Sequence, residues 1–172
     1  MAPRKPPRPA VIDGDIARIP LTRGKVAIVD VIDADLASVL WCAVWSDGWY
    51  ATHVECRPTR VARKLHRVVA ERAGMDIAGL EVDHINRDTL DCRRSNLRPA
   101  TGHQNRRNQG RRVTNRSGHK GVNWHKAANK WQARIQTDRG RLDLGRFDSL
   151  DEAVAAYAKA AIEHHGEFAR LA

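Results

Sequence analysis

Residues Val82–Asn86 read VDHIN, followed by RRSNLRPAT at Arg93–Thr101 and GHQNRRNQG at Gly102–Gly110. Leu80 to His84 is a short apolar run with strand character, and Asn86 to Pro99 is rich in turn formers. Thr101 opens a helix with Gln104 three residues on, the capping-box pattern. A strand ending at Asp83 and His84, then a loop, then a helix carrying Asn105 one turn in, can bring Asp83 and Asn105 into one small volume. A carboxylate and an amide oxygen are hard ligands suited to a single divalent cation such as Mg²⁺, which keeps several waters and completes its shell with substrate phosphate. His84 projects to the opposite side of the strand from Asp83. With an unperturbed imidazole pKa of about 6.5, it can serve as a general base at neutral pH. Asn96 can bond to backbone and hold the loop against His84. Taken singly, each of these residues reads as an ordinary turn former or surface polar group; the spacing and the flanking arginines give the set its meaning.

The charge distribution points the same way. The chain has 172 residues, 42% of them apolar, and a net charge of +10. Residues 57–126 hold 17 Lys/Arg against 6 Asp/Glu, whereas the segments on either side are close to neutral. A block of that sign suits a polyanion such as double-stranded DNA, because phosphate contacts release counterions and steer encounter; the plainer alternative is a soluble basic surface. Arg93, Arg94, Arg98, Arg106 and Arg107 are the expected phosphate contacts. Cys42, Cys56 and Cys92 are odd in number and form no CxxC pair, which argues against a disulfide framework and a cysteine zinc site and suits a reducing compartment. No apolar run approaches membrane-spanning length, so no membrane partner is expected. The expected location is intracellular, the cytoplasm of a bacterial or phage-infected cell.

Outward from the motif the texture divides the chain. MAPRKPPRPA opens a stretch, residues 1–15, expected to be a disordered tail. KVAIVD (Lys25–Asp30) reads as a strand, with Asp33 capping a short helical turn after it. WCAVWSDGWYATHVE (Trp41–Glu55) reads as a hairpin turning at Asp47-Gly48. Thr59 is placed to cap a helix running to about Ala73, with Val61, Leu65, Val68 and Val69 on one face. Residues 110–116 are expected to be a basic linker.

Beyond the linker, residues 117–172 predict three strands and a helix, the helix opened by a second capping box at Ser149 and Glu152. Its apolar stripe is Ala153, Val154, Tyr157, Ala158, Ala161 and Ile162. Strand alternation turns Trp131, Ala133, Ile135, Leu142 and Leu144 toward that helix, with Val122 and Trp124 beside them. Gln132, Arg134, Gln136, Arg141, Asp143, Asn123 and His125 then face outward, and such a polar sheet face can enter a major groove. The fold class expected is α+β: a β-rich N-terminal region, a ββα core, and a three-stranded antiparallel sheet packed on one helix.

LHRVVA (Leu65–Ala70), VDHIN, DCRRSNLR (Asp91–Arg98) and TGHQNRRN (Thr101–Asn108) together resemble the HNH endonucleases, in particular the His-Asn-Asn variety of phage-type homing endonucleases. The resemblance runs from about Ile16 to Asn108 and implies a nuclease domain over 16–109. It implies that His84 activates water, that Asp83 and Asn105 bind one divalent ion, and that Asn96 orients the loop. Asn105 stands where many members have a second histidine, which favours Mg²⁺ or Mn²⁺ over Zn²⁺. The cysteine pairs that brace some members are missing, so the ββα unit must lean on neighbouring core. His66 and His103 are expected as packing or surface residues. SGHKGVNWHKAANKWQARI (Ser117–Ile135) and LDLGRFDSLDEAVAAYAKAA (Leu142–Ala161) resemble the ethylene-response-factor (Apetala-two) DNA-binding domain. That likeness implies groove contacts from Lys120, Asn123, His125, Arg134, Gln136 and Arg141, several of which depart from the plant pattern. Together the two likenesses imply a metal-dependent endonuclease that nicks DNA, acting as a monomer by default; the alternative is a non-catalytic DNA-binding regulator that keeps the fold.

Overall fold

The computed structural model describes residues 6–55, 60–110 and 115–171. Thr59, Cys56 and the middle of the expected linker lie outside the described residues. The chain divides into two compact units, Met1–Ala100 and Thr101–Ala172. The class is α+β, with small antiparallel sheets and few helices.

In the first unit, β1 (Val11–Asp13), β2 (Ile16–Pro20) and β3 (Val26–Asp30) form an antiparallel meander. Val11–Asp13, expected within a tail, pair with β2 instead. Alternation sends Ala17, Ile19, Ala27 and Val29 into the core. A 3-10 helix spans Val31–Ser38, but Asp33 does not cap it. Its carboxylate is fully buried and clasped by Arg94 (2.8 and 3.1 Å) and Arg72 (3.2 Å). Two guanidinium groups are what make a buried charge tolerable there.

A second meander holds β4 (Cys42–Trp45), β5 (Trp49–Glu55) and β6 (Val61–Lys64). The hairpin at Asp47-Gly48 is present, but the helix expected from Thr59 is not: Val61–Lys64 pair with the outer edge of β5. The 3.6-residue spacing was outcompeted by an unpaired strand edge whose backbone groups needed partners. The helix α1 begins only at Leu65 and ends at Arg72, burying Leu65, His66, Val69 and Ala70. The last pair is the hairpin β7 (Glu81–His84) and β8 (Leu97–Ala100), in register Asp83↔Arg98 and His84↔Leu97. One continuous cluster, from Ala17 through Trp41, Leu65 and Val82 to Leu97, is the core of this unit.

The second unit opens with α2 (Gly102–Asn108), whose capping box Thr101–Gln104 is formed in both directions. Then come β9 (Val122–His125), β10 (Lys130–Thr137), β11 (Gly140–Phe147) and α3 (Leu150–His165), the last with its Ser149–Glu152 box also formed. The antiparallel sheet runs β11-β10-β9, and Val122, Ala133 and Ile135 pack against Ala153, Tyr157, Ala160 and Ala161.

Three expectations are corrected here. Trp124 is not core: it is 44% exposed, on edge strand β9, where it packs edge-to-face on Trp131 at 5.0 Å. Ile162 is 61% exposed, because the buried stripe runs through Ala160, Ala161 and His165 instead. Leu142 is also exposed, since the register slips between Ala133 and Arg134 and Leu144, not Leu142, packs on the core.

Candidate functional site

Strand β7 ends in the two residues that the motif singled out, and pairing with β8 fixes their surroundings. Asp83 stands opposite Arg98, whose Nε and Nη2 reach the same carboxylate oxygen at 2.9 and 2.8 Å. His84 stands opposite Leu97 and packs against α1 and β5: its ring lies 4.8 Å from His66, edge to face, and 6.3 Å from Tyr50. His84 is 5% exposed, and burial lowers its pKa to about 4 against the partial opposition of Asp83, Asp88 and Asp91. His66 is lowered further, to about 3, by burial first and then by His84, Lys64 and Arg67. Tyr50 is raised to about 12, again chiefly by burial and then by Asp47. At neutral pH the site therefore presents two uncharged imidazoles side by side. Ile85 and Asn86, the next two residues, are exposed, so the His84 ring lies just beneath the surface.

The loop between β7 and β8 is held by side chains. The Asn96 amide donates to Asn86 Oδ1 (3.0 Å) and to the Asp91 carbonyl (2.7 Å), and its oxygen accepts from the Asn86 backbone (2.9 Å). The Ile85 backbone donates to the Asn96 carbonyl at 2.9 Å, which ties the residue after His84 to the far side of the loop. Asp91, almost fully buried, takes both arms of Arg93 and the Asn86 amide. Those bonds hold its carboxyl below the usual carboxylate range. The loop is also anchored outside itself. The Ile28 backbone donates to the Leu90 carbonyl, Cys92 donates to the Ile28 carbonyl, and the Arg94 backbone donates to the Asp30 carboxylate at 2.7 Å. The expected reliance of the motif on neighbouring core has its physical form in these bonds to β3.

Asp83, His84 and Asn96 thus share one hairpin and its loop, while Asn105 lies on α2 in the second unit, its backbone donating to the Thr101 carbonyl. Among the described residues no group of three or more His, Cys, Asp or Glu is placed to hold a metal. The donors on offer are the Asp83 carboxylate and the Asn105 amide, a sparse oxygen set whose chemistry fits a hard, water-rich cation and not a thiolate-seeking one. Of the expected phosphate contacts, Arg93, Arg94 and Arg98 are engaged by Asp91, Asp33 and Asp83, and Arg107 by Asp138; Arg106 is exposed. Much of the excess positive charge is therefore structural. Sequence reasoning passed over Asn86, Asp91 and Tyr50, which look like turn and core residues until their partners are known.

On the sheet of the second unit, Asn123, Arg134, Gln136, Arg141 and Asp143 are exposed. Gln132 shares that polar side but is covered by its neighbours on both flanking strands, donating to Asp143 at 2.7 Å. The Gly145 backbone first, and then Arg134, lower the pKa of Asp143. Lys120 donates to the carbonyls of Arg107 and Gln109, and His125 Nδ1 accepts from the Ala128 backbone at 3.1 Å.

Comparison with known proteins bears on this geometry. A family model described as HNH endonuclease matches residues 63–107, the stretch from β6 to α2. The chain is 34% identical over 111 residues to Protein 3.8 of Escherichia phage T7, covering 64% of this chain and 91% of that protein. No solved structure gives a significant match. The chain belongs to the same family as phage T7 Protein 3.8 and carries an HNH endonuclease domain.

Proposed function

We propose that the chain is a metal-dependent DNA endonuclease of the homing or mobile-element type, with His84 as general base. The observation that supports this most is an imidazole kept neutral by burial at the end of β7, beside Asp83 and under a loop tied down by Asn96, inside the stretch that matches the HNH family. A neutral imidazole accepts a proton from the attacking water as its oxygen bonds to phosphorus and the ester bond to the 3′ oxygen breaks. The products are a 5′-phosphate and a 3′-hydroxyl. A pKa of about 4 describes His84 without substrate; an approaching phosphodiester adds negative charge and raises its proton affinity. Asn96 keeps the loop in the shape that positions this ring. A single Mg²⁺ or Mn²⁺, held by Asp83 and Asn105, would supply positive charge to the scissile phosphate and leaving oxygen. One such site cuts one strand per event, so nicking is the default. The exposed Asn123, Arg134, Gln136 and Arg141, with Lys120 and His125, supply target selection from the second unit.

The test is plasmid DNA incubated with Mg²⁺ or with EDTA. Wild type nicks it only with the cation, and His84→Ala lowers the rate by about a hundredfold or more while DNA affinity is unchanged. A second reading, a non-catalytic DNA-binding regulator, is favoured by the ion pair that Asp83 makes with Arg98, which satisfies the carboxylate without a cation. Plasmid left intact with both Mg²⁺ and Mn²⁺ would establish that reading instead.

A further inference from the structure

The β4–β5 hairpin carries a surface that the reaction chemistry leaves unused. Trp45, the last residue of β4, is 60% exposed. It faces Trp49 across the hairpin, with the rings edge to face at 5.3 Å. Two cations lie over the Trp49 ring: Lys25 Nζ is 5.1 Å and the Arg23 guanidinium carbon 5.6 Å from its centroid. That contact holds both charges beside the indoles. Arg23 is moreover fixed with a left-handed backbone (φ 61) in the turn between β2 and β3. Among the described residues neither Arg23 nor Lys25 pairs with a carboxylate, unlike the arginines of the motif itself. The one acid of the turn, Asp47, hydrogen-bonds to the Tyr50 hydroxyl.

The hairpin tip is also fastened to the reactive loop. The Thr89 hydroxyl donates to the Trp49 carbonyl, and Gly48 lies so close that a Cβ there would meet Thr89 Oγ1 at 3.0 Å. Thr89 belongs to the loop that begins after His84. An open indole flanked by two unspent cations, rigidly joined to that loop, is a combination that suits a nucleic-acid strand: a base for the ring and phosphates for the charges.

We propose that this tip is a DNA-strand clamp, in which Trp45 stacks on an unpaired base near the phosphodiester presented to the loop, and Arg23 and Lys25 hold that strand's phosphates. The clamp rests on the nucleic-acid reading above, but it is independent of whether His84 is a base.

The experiment measures anisotropy of a fluorescein-labelled single-stranded oligonucleotide in EDTA, so that binding is read without cleavage. Trp45→Ala weakens binding roughly fivefold or more, and Trp45→Phe, which keeps an aromatic face, restores most of it. Arg23→Ala combined with Lys25→Ala lowers the slope of log affinity against log salt by about one. Unchanged affinity in Trp45→Ala, or Trp45→Phe as weak as Trp45→Ala, overturns the clamp whatever plasmid cutting shows. Absence of cutting by wild type, with binding still dependent on Trp45, overturns the endonuclease reading and leaves the clamp standing.

Discussion

The two imidazoles His66 and His84 show how one position shapes the behaviour of the unit around it. Both are buried and both have depressed pKa values, so the folded state refuses protons that the unfolded chain accepts. Above about pH 6.5 neither form is protonated and the pair has no effect on stability; as pH falls from there toward 3, stability is lost. His66→Phe keeps a ring of similar size against His84 but has no site to protonate. Its unfolding free energy in urea should match wild type at pH 7 to within the cost of repacking. At pH 4 it should lose on the order of 3 kcal/mol less than wild type loses. An equal loss in both proteins would mean that His66 is not the proton-excluding group. His84 was legible from its motif. His66 was read as packing, and its place against His84 could not be known until α1 had been laid across β7.

Short elements show which local signals survive folding. Both capping boxes were readable because each is a closed exchange between residues three apart, needing nothing from elsewhere. Val61–Lys64 was misread because its pattern fits a helix, while the edge of β5 offered hydrogen bonds that no local rule anticipates. Gly121 is a middle case. KGV stood out in the sequence, and the structure gives the reason: φ is +73, and a Cβ would fall 2.1 Å from the Tyr157 ring and 2.6 Å from the Arg134 carbonyl. Backbone cannot retreat, and Tyr157 is locked in the core. Gly121→Ala should destabilise the second unit by roughly 3 kcal/mol, seen as a lower melting temperature with the β-sheet otherwise intact. A melting temperature within a degree or so of wild type would mean that the α3–β10 packing is looser than drawn.

At the scale of the whole chain, the two hydrophobic clusters share no residue, one confined to Ala17–Leu97 and the other to Val122–Phe168. Calorimetry should therefore resolve two unfolding transitions, and Gly121→Ala should shift only one. A single transition displaced as a whole would show that the clusters melt together. The division into a basic motif and a sheet-and-helix module was visible in composition alone. What composition could not show was that Asp33 and Asp91 neutralise arginines that look destined for phosphate, because an ion pair 61 residues apart leaves no trace in a local window. The same long-range ties limit how the molecule can be cut up. Ile28, Asp30 and Asp33 grip residues 90–94 from a part of the chain that precedes the family-matching stretch by more than half its length. The 63–107 segment is consequently no portable cassette: grafted onto a foreign scaffold, it would keep its signature residues and lose the splint that gives them a shape.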